Sequence, residues 1–304
     1  MKMKTYLMAP AMAAALLLAA CNNDDTDRVD LSQPISLSFA PASMDGQTTR
    51  ATIGITGASF QKGDRVGLYM DGTGYGHVLY TCQGATNWTA SSLLYWPDAG
   101  SYTFRAYYPY METVTDAVSL PTDQSTAEAF TQADRMWASA TRAATNGTIS
   151  LTLNHQMSLI KLDVEDGEAI TLNEIKGMTP AILGDMPSEG TWDLTTGQIT
   201  FPTDSKTISG IQPYVVDNGD GTLTYYALVM PGTVFEQGDK FFSLTDAGGT
   251  TYSYDLSIPN GFTAGASQYC DIDLTVHRTG ITLSGFSVGN WTSGATGSGS
   301  VTMD

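Results

Sequence analysis

The sequence predicts an all-β protein with two β-sandwich domains in tandem. Short runs with an apolar residue at every second position, such as 66–70 and 160–164, recur along the chain, and this alternation is typical of half-buried strands. Gly, Pro, Asn and Asp separate the runs, which favours sandwiches over units that alternate strands with helices. Because the chain has 304 residues and one sandwich takes roughly 100, two domains are expected.

The same alternation places the individual strands. The predicted strands lie at 35–39, 66–70, 102–108, 149–153, 160–164, 225–229, 252–256, 270–276 and 281–283. Hairpin turns are expected at 195–197 and 217–221. The second turn lacks the regular ligands and the final glutamate of an EF-hand loop, so a calcium site is not expected there. The short helical pattern at 123–130 is expected to form a loop.

Four regions follow from these patterns. A signal peptide covers 1–20, and an acidic tether with a first strand covers 21–50. The N-terminal sandwich covers 51–147 and the C-terminal sandwich covers 148–304, with the boundary placed at the polar pair 146–147. The second domain ends in a Gly/Ser-rich tail, whose low-complexity composition predicts flexibility.

The N-terminus has the pattern of a lipoprotein signal peptide. Lys2 and Lys4 precede an apolar stretch, 6–20, which ends in two alanines followed by Cys21. The stretch is shorter than the roughly 20 apolar residues that a membrane-spanning helix needs, whereas a basic start and small residues before the cleavage point are typical of an export signal. We therefore expect residues 1–20 to be removed and Cys21 to be acylated, so that the membrane is reached only through the lipid. A plain secretory signal with an incidental cysteine is the alternative.

The charge balance excludes several classes of partner. The chain has 14 basic and 31 acidic residues, a net charge of −17, and no basic patch stands out. Phosphate backbones would be repelled, so no nucleic-acid partner is expected. Charged residues make up only 15% of the chain, which suits an exported β protein better than a helical enzyme. The acidic run at 22–34 has no apolar periodicity and is expected to be disordered.

Two further cysteines are expected in the hydrophobic cores. Cys82 and Cys270 each lie in a run of alternating apolar residues, so both thiols should point inward as small apolar groups. Export permits a disulfide, but the two positions fall in different predicted domains. We therefore expect two separate thiols rather than a bond.

The sequence offers no constellation for catalysis or metal binding. His77, His155 and His277 each lie in or beside a strand-like run, and none has another histidine or a cysteine at the spacing of metal ligands. His155 is interpreted as a structural polar residue. Asp163 and Glu165 share one face of a strand and are expected at a solvated surface. No enzyme activity, metal or cofactor is expected.

Aromatic residues cluster at 95–96 and 107–110. If exposed, such rings stack on sugars, and the protein would then be a surface glycan-binding lipoprotein. Tyr102, Phe104 and Tyr108 instead alternate on one face of a strand, which favours a place in the core. The two interpretations differ in one observable, because a glycan platform needs at least two coplanar exposed rings.

Several motifs stand in a specific order along the chain. They are FQKGDRVGLY (60–69), YWP (95–97), YTFRAYYP (102–109), DRMWA (134–138), LTLNHQM (151–157), YALVMP (226–231) and TGITL (279–283). Together they resemble the fimbrillin family, the Mfa-like type V pilins of Bacteroidales, from Cys21 almost to the C-terminus. The resemblance implies two transthyretin-like sandwiches and a lipoprotein precursor at the outer membrane, whose subunits polymerise with other fimbrial subunits into adhesive fimbriae.

The resemblance also implies an arginine-directed processing protease. Arg50-Ala51 lies in a loop-like segment after the strand residues Ile35, Leu37 and Phe39, and accessible loops are where cleavage occurs. A cut there would remove the lipid and the strand together, and a strand from the next subunit could fill the opened groove. The alternative is that Arg50 is an ordinary loop arginine.

The expected donor of that incoming strand is the C-terminal region. Its apolar residues are Ile281, Leu283, Phe286 and Val288, with a possible extension at 301–303. Glycines between them weaken a long strand, so a stalk subunit and a tip or accessory subunit both stay open. A host or bacterial surface receptor is the further partner that an adhesive role implies.

Overall fold

The computed structural model describes residues 28–42, 59–84 and 86–290. Within these residues the chain consists mostly of short β-strands, with two short helices. No helix in the described ranges combines the length and the apolar character needed to cross a membrane.

Several predicted features lie outside the described residues. They are the signal peptide, the lipidation site Cys21, the cleavage site Arg50-Ala51, and the Gly/Ser tail from 291 onward. These features therefore remain predictions from the sequence.

The described elements are numbered in chain order. The first part contains β1 (Leu37–Pro41), β2 (Arg65–Met70), β3 (Val78–Gly84), β4 (Asn87–Ala90), β5 (Ser101–Tyr108), β6 (Ala117–Ser119), α1 (Ala127–Ala133), β7 (Met136–Ala143) and β8 (Ile149–His155). The second part contains β9 (Ser158–Asp166), α2 (Leu172–Lys176), β10 (Thr179–Pro187), β11 (Glu189–Trp192), β12 (Ile199–Thr200), β13 (Thr207–Ile211), β14 (Tyr214–Asp217), β15 (Thr222–Val229), β16 (Val234–Phe235), β17 (Lys240–Thr245), β18 (Thr251–Asp255), β19 (Phe262–Thr263), β20 (Gln268–His277) and β21 (Gly280–Asn290).

Seven strands form the first sheet, in the order β1-β8-β7-β5-β2-β3-β4. β1 lies at one end and runs parallel to β8, whereas the other neighbours are antiparallel. Phe39 of β1 contacts Trp88 of β4 edge to face, with ring centroids 4.8 Å apart. Because these strands are the two ends of the sheet, the contact shows that the sheet curves around its own core.

Two larger sheets surround the second core. One has the order β14-β15-β9-β20-β21 and the other β13-β10-β17-β18. They share one hydrophobic cluster, in which the rings of Tyr225 and Phe242 pack 5.3 Å apart from opposite sheets. Ile160 and Leu162 of β9 and Ile272 of β20 are buried in this cluster.

A third sheet, β12-β11-β6, joins the two parts of the chain. β6 precedes β8 in sequence but pairs with β11 of the second part. The ring of Trp192 on β11 meets that of Tyr107 on β5 at 5.9 Å. Gln124 reinforces the join, because its buried amide donates to the carbonyl of Leu228 (2.9 Å) and accepts from the Leu228 N–H (2.8 Å).

Most predicted elements are present, with two differences. Both predicted hairpin turns connect antiparallel strand pairs. The expected loop at 123–130 instead contains α1, which is capped by Thr126, whose hydroxyl accepts from the Ala129 N–H, and which buries Phe130. The strand predicted at 149–153 was expected in the second domain, but it forms part of β8 and joins the first sheet. The first sheet therefore extends a few residues past the predicted boundary, because alternation identifies a strand but does not show which sheet it joins.

Candidate functional site

The groove that holds β1 is the candidate functional site. The three residues predicted for a removable strand, Ile35, Leu37 and Phe39, are all buried in the first core, with 5–8% of their surface exposed. Ser38, between them, turns the other way, and its hydroxyl contacts that of Ser150 at 2.9 Å. β1 therefore fills the groove with apolar side chains and leaves a polar face outside.

Main-chain hydrogen bonds fix both ends of this segment. The Ile35 N–H donates to the carbonyl of Leu94 at 2.8 Å, before the strand begins. At the other end, the Ala42 N–H donates to the carbonyl of Leu153 at 2.8 Å. The five-residue parallel register with β8 lies between these two anchors.

The deepest side chain in the groove is Phe39, which lies among aromatic rings. Its centroid is 5.2 Å from that of Tyr80 and 4.8 Å from that of Trp88, and both contacts are edge to face. Phe60 packs against Trp88 at 5.4 Å and against Tyr108 at 5.1 Å. Burial raises the pKa of Tyr80 above its usual range, so this wall of the groove is neutral at physiological pH.

A buried contact between a histidine and an aspartate lies at the C-terminal end of β1. Nδ1 of His155 is 2.8 Å from the carboxylate of Asp134, and the two side chains are only 3% and 6% exposed. Nε2 of the same ring is 3.1 Å from the carbonyl oxygen of Ala42. The histidine thus connects the end of β1 to the start of β7.

A cleft of about 430 Å³ opens beside this end of β1. Pro41, Phe60 and Tyr108 line one part of it, and Phe130 of α1 lines another. Burial, with Asp64 and other charges nearby, raises the pKa of Tyr108 above its usual range.

The candidate donor strand is β21, at one end of the sheet β14-β15-β9-β20-β21. Its residues Ile281, Leu283, Phe286 and Val288 lie opposite Val276, Leu274, Ile272 and Cys270 of β20. The register shifts between Leu283 and Gly285, which leaves Ser284 as a β-bulge. The bulge explains why the apolar positions change from odd to even numbers while remaining on one face.

The aromatic clusters lie in the cores rather than on a surface platform. Trp96, Tyr107 and Tyr108 are buried, with exposures of 1–4%. Every aromatic side chain within the described ranges is buried or half-buried. The expectation of a core role is therefore confirmed there, and the described residues provide no exposed coplanar pair for stacking on sugars.

The three histidines do not form a common site. His77 stacks on Tyr110, with centroids 4.8 Å apart, and its Nε2 lies 2.8 Å from the carbonyl of Met111. His277 lies on β20, where its Nδ1 accepts from the Glu168 N–H. Each histidine has its own local partners.

Asp163 has a different role from the one expected. Glu165 is exposed as predicted, but Asp163 contacts the buried amine of Lys161 at 2.5 Å, and Asp271 contacts it at 2.9 Å. Burial alone would lower the pKa of Lys161, but the two carboxylates raise it above its usual range. Burial raises the pKa of Asp271. Asp163, Asp271 and Asp273 come together, and Lys161 supplies the positive charge of this cluster.

Cys82 and Cys270 are separate buried thiols. Cys82 lies in the first core and Cys270 in the second, so the expectation of two free thiols is confirmed. Burial raises the pKa of Cys270 to about 12, and the thiol is therefore neutral and unreactive near pH 7.

The pairing of Asp134 with His155 is the feature that sequence reasoning missed. Both residues stand in motifs noted above, 134–138 and 151–157, but the motifs lie on different strands. Nothing in either run indicates that the side chains meet, because β7 and β8 pair at Met136 and His155 only once the sheet has formed.

Comparison with known proteins gives the chain a clear set of relatives. The model of the family described as fimbrillin-like matches residues 49–291, which is most of the chain. A provisionally named fimbrium subunit of Bacteroides uniformis, Fim1C, is 27% identical over 317 residues, and the match covers 96% of this chain and 97% of that protein.

Two crystal structures share the fold. A provisionally assigned cell adhesion protein from Bacteroides ovatus has a TM-score of 0.69 and 17% identity, covering 85% of this chain and 98% of that one. Another such protein from Bacteroides uniformis has a TM-score of 0.61 and 22% identity, covering 84% and 98%. At these identities the likeness supports the fold alone.

Proposed function

The chain belongs to the fimbrillin-like family, and from that premise we propose that it assembles into cell-surface fimbriae by strand exchange after its N-terminal strand is removed. The family is structural and non-enzymatic, and its members include fimbrium subunits. The finer fold assignment, two transthyretin-like sandwiches in tandem, goes with this proposal. Other fimbrial subunits are then its partners, and the fimbria at the cell surface is its location.

The observation that carries the proposal is the position of β1. This strand pairs with β8 at one end of the first sheet, and together with Ile35 just before it, it buries three apolar side chains. Each such side chain stabilises by about 1.5–3 kcal/mol on burial, so the groove offers roughly 5–9 kcal/mol to any strand that fills it equally well. Association and ordering costs offset part of this figure.

Delivery and maturation complete the proposal. A lipid on Cys21 would carry the precursor to the outer membrane, and cleavage after Arg50 would release residues 21–50 with β1. The incoming strand is proposed to be the C-terminal region, with Ile281, Leu283, Phe286 and Val288. Because β21 pairs with β20 along its length in the single subunit, its donation requires it to leave that sheet. A surface receptor remains the proposed target of adhesion.

N-terminal sequencing of subunits from purified fibres tests the maturation step. The proposal predicts a start at Ala51, and an acylated Cys21 that persists in the polymer would refute it. Arg50→Ala should leave a lipidated monomeric precursor. Arg28→Ala is the matched control, because a cut after Arg28 would release the lipid but leave β1 attached. Normal fibres from Arg50→Ala would contradict the processing step.

A double-cysteine experiment tests the donor. After processing, Phe286→Cys in one subunit and Leu151→Cys in the next should form a disulfide across the joint, since Leu151 lines the vacated groove beside the position of Phe39. Leu93→Cys, which places the thiol on an exposed residue, is the control for random collision. Equal crosslinking at both positions would argue against β21 as the donor.

A further inference from the structure

His155 makes a contact that the proposed assembly does not use. Its ring is buried between Asp134 and the last residue described after β1, Ala42. Nδ1 faces both carboxylate oxygens of Asp134, at 2.8 and 3.0 Å, and Nε2 faces the Ala42 carbonyl at 3.1 Å. One side chain therefore joins a fixed part of the first sheet to the strand proposed to leave it.

The chemistry of these partners fixes where the hydrogens of the ring lie. A main-chain carbonyl can only accept, so Nε2 must donate to Ala42, and a hydrogen lies between Nδ1 and the carboxyl group of Asp134. Asp134 thereby holds the ring in orientation. The N–H on Nε2 is then directed at the main-chain carbonyl of the residue that follows β1.

The same residue of the strand is bound a second time. The Ala42 N–H donates to the Leu153 carbonyl at 2.8 Å, so residue 42 has both its donor and its acceptor engaged by the motif 151–157. A strand that ran antiparallel to β8 would present these two groups in the opposite order. The contacts depend on the backbone and not on the side chain, so they would apply equally to another strand in the same place.

We propose that His155, positioned by Asp134, is a specificity-determining residue of the β1 groove. It selects a strand that runs parallel to β8, fills the sites of Ile35, Leu37 and Phe39, and presents a main-chain carbonyl three residues after the last of them. For β1 this contact holds the strand until cleavage. For an incoming strand the inference rests on the proposed function, and it names the partner as an extended segment of this length and direction.

Hydrogen exchange of the full-length chain, resolved by residue, tests the contact without any assembly. In His155→Leu the Ala42 amide should exchange on the order of tenfold faster, while amides of β5 keep their protection. Asp134→Asn should give a smaller increase, because the amide oxygen can still accept from Nδ1 but holds the ring in orientation less strongly. If His155→Leu does not fold, Asp134→Asn alone decides the matter.

A matched control separates this effect from general destabilisation. Val66→Ala removes two methyl groups from the same core on β2, and should speed exchange in β1 and β5 together. An Ala42 amide that changes no more than the β5 amides in His155→Leu would overturn the inference, whether or not the protein forms fibres.

Fibre lifetime tests the extension to the incoming strand. If wild-type subunits polymerise, fibres of His155→Leu should dissociate roughly tenfold faster than those of Val66→Ala. Equal lifetimes would overturn the selection of the incoming strand by His155. Failure of the wild-type chain to exchange strands would instead refute the proposed function, and the exchange result at Ala42 would still stand by itself.

Discussion

Replacing Phe39 by alanine measures how strongly the groove holds β1. Phe39 is 5% exposed and contacts two rings edge to face, at 4.8 and 5.2 Å. Truncation of a buried phenylalanine costs about 3–5 kcal/mol, and the two ring contacts, at about 0.5–1.5 kcal/mol each, are part of that sum. Because β1 is an end strand and the groove can partly close, we expect a value near 3 kcal/mol.

Native-state hydrogen exchange is the assay, since it reports the local opening of β1 as well as global unfolding. A loss of about 3 kcal/mol corresponds to exchange roughly 150-fold faster for the amides of β1 that are bonded to β8. Amides of β20 and β21, which lie in the other core, should keep their rates. Ser38→Ala is the control from the outer face of the same strand and should change the stability by no more than about 0.5 kcal/mol.

One result would refute this reasoning. If Phe39→Ala accelerates exchange in β1 by less than about fivefold, the strand is not held by its aromatic side chain. The estimate of roughly 5–9 kcal/mol for a strand in this groove would then be too large, and strand exchange would lack its driving force.

Three further variants test other contacts. Gly197 and Gly219 both have positive φ, 82° and 74°, but a Cβ on Gly197 would lie 2.5 Å from the Trp137 ring, whereas one on Gly219 would meet nothing. Gly197→Ala should therefore lower the free energy of unfolding in urea by about 1–3 kcal/mol more than Gly219→Ala does. Equal losses would contradict the contact with Trp137. Lys161→Met should cost about 2–3 kcal/mol at pH 7, because it leaves two half-buried carboxylates without their cation. The cost should be smaller in acid, because burial raises the pKa of Asp271 and a protonated Asp271 no longer needs the amine. A loss independent of pH would argue against the ion pair. Burial raises the pKa of Cys270 from 9.0 to about 12, so the stability that the protonated thiol contributes is intact below pH 9 and is lost at about 1.4 kcal/mol per pH unit above it. In Cys270→Ala the free energy of unfolding should fall less steeply above pH 9. Identical slopes in the two proteins would refute the assignment.

The strands were predicted well because a strand with one buried face has an apolar residue at every second position. The residues of β21 were found from their apolar character even though Ser284 interrupts the alternation. α1 was missed because two helical turns give little periodicity, although the capping residue Thr126 was a legible signal.

The parts of the site that could not be predicted are contacts between distant strands. Alternation identified the strand at 149–155 but could not show that it pairs with a strand more than a hundred residues earlier. Lys161 is buried only because β20 brings Asp271 beside it. In the same way, Asp134 and His155 are ordinary polar residues in the sequence, and they become a unit only when β7 lies against β8.

The place of β1 in the chain has a consequence for the order of events during export. Its sheet partner, Ile149–His155, is separated from it by more than a hundred residues, and contacts of such long sequence separation form late in folding. β1 therefore completes the first sheet only after most of that sheet's other strands are present. Among the described strands it has one neighbour, and a single cut on its C-terminal side separates it from all of them. The strand that closes the sheet last is thus also the one that a single broken peptide bond can release, while every other strand stays connected in its original order.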